Sequence, residues 1–316
     1  MSRSRHFIMS LVGAALLFAT AAQAETWRMA SKMPVDSPEG KVFQFFADKV
    51  KEHSGGKLEV LVYPNEQLGK TDAVLEQLKL GTVHLYAEGS TYMKKWVPEI
   101  NWTSAAFMFD DRDHWIRFME TDLVQGWYNK ASREAGISLL GDATSILRGP
   151  YRVMVTNRDV KTFDDINMLK LRMHPSKLAV NTWTHLGADV KTLAWTDVYQ
   201  SIQKGIVESV NSPIALVESM RFHEVAPNII RHDEYYQSIG FMMNRSKFDA
   251  LSGDMQNALE KAYFDAGKYS NEVMGSSADE SIKRMKASGV SFVDIDRAPF
   301  VARMKAFYDD MESKGE

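Results

Sequence analysis

The chain has 316 residues, 45% hydrophobic and 25% charged, with a formal net charge of −3 and a pI near 6.3. That balance excludes a disordered chain, which lacks the apolar content for a core, and a dedicated nucleic-acid binder, which carries a basic excess. There is no cysteine, so disulfides, thiolate catalysis, cysteine-ligated metals and a lipid-anchoring N-terminal cysteine are all excluded.

The N-terminus reads as a cleaved export signal over residues 1–24. Arg3 and Arg5 supply a small positive region, Phe7 to Ala22 is apolar and uncharged, and Ala22-Gln23-Ala24 has the small-x-small pattern of a cleavage site. The stretch is short for a membrane-spanning helix. Removing residues 1–24, which carry two arginines and no acid, leaves 292 residues with a formal charge of −5. Nothing later is apolar enough to span a bilayer, so the expected product is periplasmic and not membrane-anchored.

The remaining chain alternates strands and helices. Thr26 to Ala30 opens as a strand. Ser37-Pro38-Glu39 starts a helix, with Ser37 as N-cap and Pro38 in the first turn, and Val42, Phe45, Phe46 and Val50 recur at helical spacing. Gly55-Gly56 stops that helix. Lys57 to Tyr63 is a strand, Thr71 to Leu80 a helix and Val83 to Ala87 a strand, a β-α-β-α-β series that implies a parallel sheet. Asp110 to Ala135 reads as one long helix with Trp115, Phe118, Met119, Leu123 and Trp127 inward, and Ile137 to Gly141 as a strand.

A second α/β series begins after Gly149-Pro150. Its strands are Tyr151 to Thr156, Leu169 to Met173, Ala188 to Leu193 and Glu208 to Asn211, with helices at about Pro175 to Leu186 and Thr196 to Lys204. Tyr235 to Asn244 is a further strand. Asp254 to Ala287 is one long helix striped by Ala258, Leu259, Ala262, Ala266 and Val273. Two α/β lobes around a cleft follow, with ligands at the carboxyl ends of strands.

Motifs of catalysis are missing. Pro64 to Thr71 reads P-N-E-Q-L-G-K-T, but Pro64 stands where a phosphate loop needs its first glycine and a backbone donor. There is no H-E-x-x-H, G-x-S-x-G or G-x-G-x-x-G. No two of the eight histidines are spaced i, i+4. No metal, no cofactor and no enzymatic activity are expected.

Three separated blocks carry a family resemblance. The first runs Ser54-Gly55-Gly56-Lys57-Leu58-Glu59-Val60, then Tyr63-Pro64-Asn65-Glu66-Gln67-Leu68-Gly69. The second is Gly81-Thr82-Val83-His84, followed by Phe107-Met108-Phe109, where Ala106 replaces a proline. The third runs from Thr162-Phe163-Asp164-Asp165-Ile166 through Leu169-Lys170-Leu171-Arg172 and Leu186-Gly187-Ala188 to Asp197-Val198-Tyr199-Gln200 and Gln203-Lys204-Gly205-Ile206-Val207-Glu208. Over the whole mature chain this resembles the DctP-type solute-binding proteins of TRAP (tripartite ATP-independent periplasmic) transporters. The resemblance implies an α/β two-lobe periplasmic-binding-protein fold with crossing strands and a long hinge-spanning helix. It places lobe I at 25–149 plus about 238–277 and lobe II at 150–237 plus about 278–316. It further implies a small organic acid as ligand, delivered to integral-membrane permease subunits without chemistry on the ligand.

Arg172 is the leading candidate for the site. It ends a strand just before Pro175, and its guanidinium is a two-pronged donor matched to a carboxylate. The resemblance gives it the role of carboxylate clamp, and Arg152, on the strand after Gly149-Pro150, that of a second ligand arginine. Arg148 is its rival, since a small register error exchanges the two. Asn211 and Ser212 follow the Glu208 strand where the family often has an acid and an amide or aromatic, so a polar rim is expected without the acid a cationic ligand would need. Trp195 is expected on an apolar or sugar face of the ligand. Ser90 and Tyr92 follow the Val83 strand at its carboxyl end, and Lys32 and Asp36 lie in the first loop. A periplasmic enzyme or a sensor-partner protein on the same scaffold is the alternative reading.

Overall fold

The computed structural model describes residues 24–315. The export signal expected over residues 1–24 lies, apart from Ala24, outside the described residues.

In chain order the first part runs β1 (Glu25–Ala30), α1 (Pro38–His53), β2 (Leu58–Tyr63), α2 (Thr71–Lys79), β3 (Leu85–Gly89), α3 (Arg112–Met119), α4 (Asp122–Ala135) and β4 (Ile137–Leu140). Ser37 caps α1 by accepting the Gly40 N–H at 3.0 Å, and Pro38 sits in the first turn, as its fixed φ favours. Two short 3₁₀ helices, Ser90–Lys95 and Pro98–Ser104, follow β3; the sequence reading left this stretch unassigned.

The expected single helix over Asp110 to Ala135 is two. The chain breaks at Glu120-Thr121, where the Thr121 hydroxyl caps α4. The restart shifts the helical phase, so Val124 and Tyr128 turn inward and Leu123 is exposed.

The second part runs β5 (Arg152–Thr156), β6 (Lys170–Met173), α5 (Lys177–His185), β7 (Asp189–Thr192), α6 (Val198–Gln203), β8 (Ser209–Pro213), α7 (Ile214–Val217), α8 (Phe222–Val225), β9 (Asn228–Arg231), β10 (Ile239–Asn244), α9 (Arg245–Asp249), α10 (Gly253–Ala287), β11 (Ser291–Asp294) and α11 (Ala298–Ser313). The sequence reading did not separate β9, β11 or α11.

Two sheets result, ordered β2-β1-β3-β10-β4 and β11-β9-β5-β8-β6-β7. β1, β2 and β3 are parallel, as the β-α-β-α-β series demands, but each sheet is mixed. β10 runs antiparallel to β3 and β4, and β5 antiparallel to β8 and β9. The mixing follows from the chain path. The chain crosses from the first sheet to the second before β5 and returns before β10. The two crossing segments pair with each other: Leu147 bridges Ser238 antiparallel, Arg148 N donates to Gln237 O at 2.9 Å, and Ile239 N donates to Ile146 O at 2.8 Å.

Helix α10 ties the lobes together. At 35 residues it is about 52 Å long. Its first half packs on α1, with Tyr269 stacked on Phe45 at 4.3 Å and Asp265 paired with His53 at 2.8 Å. Its second half reaches the segment after α7, where Ser281 and Arg284 hold Glu218 at 2.6 and 2.7 Å. Gly141 leaves β4 in the left-handed region, φ 70°, where a Cβ would strike the Tyr263 ring of α10. One apolar cluster runs through α1, α10 and α7 and joins the lobes; a second fills the α2–α4 side of the first sheet and a third the α5–α11 side of the second.

Candidate functional site

Parallel strands deliver their carboxyl ends to one edge, and antiparallel strands deliver their amino ends to the same edge. The sheets face each other on that edge. β1 brings Lys32, β3 brings Tyr92 and Lys94, β6 brings Arg172 and His174, and β8 brings Asn211. The crossing segments bring Arg148, Arg152, Tyr235 and Gln237. All line one interlobe cavity of about 650 Å³, counting the space open to solvent at its mouth.

The cavity wall is rich in cations, and their partners differ. Arg148 is locked. Its Nη2 donates to Glu39 Oε2 at 2.9 Å, its Nη1 to Glu88 Oε1, and its Nε lies 2.8 Å from Glu39 Oε1. That last approach is an ion pair whose angle falls short of a hydrogen bond. Lys32 shares the network, 3.5 Å from Glu88 Oε2 and donating to the Tyr92 hydroxyl at 2.9 Å. Burial pushes Glu88 up, but Arg148 and Lys32 together outweigh it and hold the carboxyl down at about 2. Burial dominates at Glu39, which is raised to about 7 despite Arg148. Burial opposes the charge on Lys32, yet Glu88 and the neighbouring tyrosines leave its pKa raised.

Arg152 is partly committed. It donates to Glu234 at 3.2 Å and Gln237 at 3.1 Å and stacks 4.4 Å over the Tyr235 ring. Arg152 thus lines the cavity while paired with an acid of the second crossing segment.

Arg172 stands apart. Its Nε and Nη2 both donate to one carbonyl, Leu193 O, at 2.9 and 2.7 Å, and its guanidinium lies 5.3 Å from the Trp195 ring. Among the described residues no carboxylate pairs with it. Burial therefore pulls its pKa down to about 10, with the charge of Arg152 adding to the fall. A desolvated cation without a counter-charge is electrostatically suited to meet an anion.

Neutral groups complete the wall. Burial, then the charges of Lys94 and Arg172, hold His174 well below its usual pKa. Burial likewise brings His232 to about 3. The neutral His232 takes the Glu234 N–H on Nδ1 and faces Asn211 Oδ1 with Nε2 at 3.2 Å. His232 Nε2 is therefore the donor in that contact, and the Asn211 amide presents Nδ2, which has no partner. The Trp195 Nε1 is also buried without a partner.

Of the residues singled out in the sequence, Arg172, Arg152, Asn211, Trp195 and Tyr92 come together on this cavity, with Lys32 and Arg148. Ser212 does not. Side chains alternate along β8, so Asn211 and Pro213 face the cavity while the Ser212 hydroxyl turns away to Pro213 O at 2.9 Å. Ser90 also points elsewhere, accepting from the Tyr128 hydroxyl at 3.0 Å and meeting Ser238 Oγ at 3.3 Å. Asp36 is exposed on the first loop, away from the cavity.

Sequence reasoning missed Glu39, Glu88 and Glu234, which decide how free each cation is. A trace was visible at Glu88, a lone charge closing the apolar strand L-Y-A-E-G. Lys94 and His174 were missed too, although His174 lies two residues past Arg172.

The loop resembling a phosphate site has another role. Asn65 and Glu66 both take positive φ, and the loop reaches across the cleft mouth. Lys70 pairs with Asp197 at 2.5 Å, and the Thr196 hydroxyl donates to Glu66. Among the described residues no cluster of three or more His, Asp or Glu has the arrangement to hold a metal, and no helix is long and apolar enough to cross a membrane.

Residues 29–314 match the family model of the bacterial extracellular solute-binding proteins, family 7, the DctP family. The chain belongs to this family. As a family 7 solute-binding protein it is 26% identical over 291 residues to the sialic acid-binding periplasmic protein SiaP of Vibrio cholerae, covering 92% of this chain and 89% of the relative. It is 24% identical over 294 residues to the C4-dicarboxylate-binding periplasmic protein DctP of Rhodobacter capsulatus, covering 91% and 87%. A TRAP periplasmic solute-binding protein from Roseobacter denitrificans, solved with L-galactonate, superimposes with a TM-score of 0.82 at 24% identity, over 90% of this chain and 94% of that one. The sugar acid-binding protein of Advenella mimigardefordensis, solved with galactonate, does so with a TM-score of 0.85 at 20% identity, over 92% and 94%. These likenesses establish the two-lobe fold expected from the sequence.

Proposed function

We propose that this family 7 protein captures a small organic acid in the interlobe cavity and delivers it to the membrane permease of a TRAP transporter. The observation that carries the reading is Arg172, a buried guanidinium on the cavity wall with no carboxylate partner among the described residues. An acid's carboxylate supplies the missing charge, and exclusion of water strengthens the contact. Asn211 offers an amide donor and Trp195 a ring face, which suit a hydroxylated carbon chain. The names of relatives and neighbours, which bind sialic acid, C4-dicarboxylates and galactonate, point to the same ligand chemistry. Residues 1–24 act as the export signal on this reading, and the protein works in the periplasm. The lobes divide at 25–149 with about 238–277 against 150–237 with about 278–316, and the paired crossing segments form the pivot. Binding is reversible and leaves the solute unchanged.

A thermal-shift screen of organic acids, followed by calorimetry, tests the capture, because a ligand of the folded state alone raises the melting temperature. D-Glucuronate, L-galactonate, sialic acid and succinate make the first panel. At least one acid is expected to raise the melting temperature, and its neutral alcohol or amide analogue is expected not to. Equal shifts from acid and neutral analogue would overturn the reading.

A further inference from the structure

We infer that the cavity is built for a polyhydroxylated solute with an acidic group at each end, one held by Arg172 and the other by Lys94. The inference rests on the acid-capture reading above and adds a second anionic subsite to it.

Lys94 lies on the 3₁₀ segment after β3, so it enters the cavity from the first sheet, whereas Arg172 enters from the second. Its Nζ is buried and, among the described residues, has no hydrogen-bond partner. What it has is the face of Tyr92, 5.9 Å from the ring centroid. Burial, reinforced by the charge of Lys32, pulls its pKa down to about 8. The other cations of the wall are accounted for by acids: Lys32 and Arg148 share Glu39 and Glu88, and Arg152 has Glu234. The next lysine, Lys95, turns outward to Glu76 at 2.7 Å. Two positive groups therefore remain uncompensated, one on each lobe.

Between them the wall is neutral. The His174 imidazole feels the charges of both Lys94 and Arg172 and is held uncharged. With the Asn211 amide and the Tyr92 hydroxyl it offers hydrogen bonds suited to alcohols rather than to further charge. A buried ammonium without a partner is costly, and a carboxylate that meets it forms short charge-assisted bonds. A monoacid satisfies one cation and leaves the other stranded when the lobes close. A diacid satisfies both and ties the lobes through its own length.

Calorimetry on the purified protein with two matched pairs, galactonate with galactarate and gluconate with glucarate, tests this. Each pair differs only in the second carboxylate. At least one diacid is expected to bind ten-fold or more tighter than its monoacid. Lys94→Met is expected to bring that diacid to within about three-fold of the monoacid, with monoacid binding level or tighter and the ligand-free melting temperature level or higher, because a stranded buried cation is removed. Monoacids binding as tightly as diacids, a diacid preference that survives Lys94→Met, or no binding by any of the four would overturn the second subsite. Diacid and monoacid binding that are both lost in Arg172→Met, with the diacid indifferent to Lys94→Met, would overturn the subsite and leave acid capture standing. Binding indifferent to Arg172 would sink acid capture itself.

Discussion

Replacing Arg172 by methionine separates binding from folding. The guanidinium is desolvated and has no counter-ion among the described residues, and burial brings its pKa down to about 10. A fall of that size means the folded state disfavours the charged form by on the order of 3 kcal/mol. The folded pKa lies below the unfolded one, so this cost is present in full at neutral pH and disappears only above about pH 10. Two hydrogen bonds to Leu193 O offset part of it. Methionine removes the cost and the bonds together while keeping the packing beside Trp195. The ligand-free melting temperature at pH 7 is therefore expected to stay level or rise. Binding responds in the opposite sense. A carboxylate on Arg172 makes charge-assisted bonds, and stranding one partner of a buried pair costs about 3–5 kcal/mol, roughly 150- to 5,000-fold in affinity. Calorimetry with D-glucuronate and L-galactonate, or with the acid giving the largest thermal shift, reads the affinity, and a ligand-free melt reads the fold. A loss of affinity under about ten-fold, or a drop of more than about 5 °C in the ligand-free melt, would refute the reasoning.

Three other perturbations follow from the same geometry. Glu88→Gln removes one of the two acids holding Arg148 and Lys32, which leaves buried positive charge; a loss of about 3–5 kcal/mol is expected in denaturant melts. The Glu88 carboxyl is held near 2 when folded, so its contribution is present above about pH 4.5 and lost as pH falls through about 2, and the variant should show a flatter stability profile across that window. Asn211→Leu strips the unpartnered amide from the cavity without changing the side chain's bulk; about ten-fold weaker acid binding by calorimetry is expected, with the circular dichroism spectrum unchanged. The Lys70–Asp197 pair at the cleft mouth is half exposed on both sides and worth under about 1 kcal/mol. Lys70→Ala should speed ligand release by no more than about five-fold in stopped flow, and 0.5 M salt should narrow the difference from the natural protein.

The alternation of strands and helices was legible because each element carries its own period and cap. Ser37-Pro38 opens α1 where sequence placed it, and the stripe of Ala258, Leu259, Ala262 and Ala266 is the buried face of α10. Strand direction was not legible: β5 and β10 look like other apolar strands, and only the crossing of the chain makes them antiparallel. The break at Thr121 was hidden because Glu120-Thr121-Asp122 sits inside an otherwise helical pattern, and a threonine cap needs no glycine or proline to announce it. At the site, periodicity would have removed Ser212 once Asn211 was chosen, since neighbours on a strand face opposite ways. No periodicity would have removed Ser90, whose direction is set by Tyr128 from α4, 38 residues away.

The deeper difficulty lies in the three arginines. Arg148, Arg152 and Arg172 fall within 25 residues, all are buried, and all line one cavity. Residue type gives them the same affinity for a carboxylate. What separates them is the acid each has already met. Arg148 meets Glu39 and Glu88, which come from α1 and the end of β3, and so fastens the first lobe to the crossing segment. Arg152 meets Glu234, which arrives on the other crossing segment, so it braces the two crossing segments while still facing the cavity. Arg172 meets a backbone carbonyl alone. The partners come from sequence positions up to 109 residues distant, so local sequence carries no sign of the difference. A guanidinium compensated inside the protein gains little from a ligand, because an internal carboxylate would have to be displaced. An uncompensated one gains the full charge-assisted contact. The order of functional weight we propose, Arg172 above Arg152 above Arg148, is thus a consequence of where three glutamates fall in the fold.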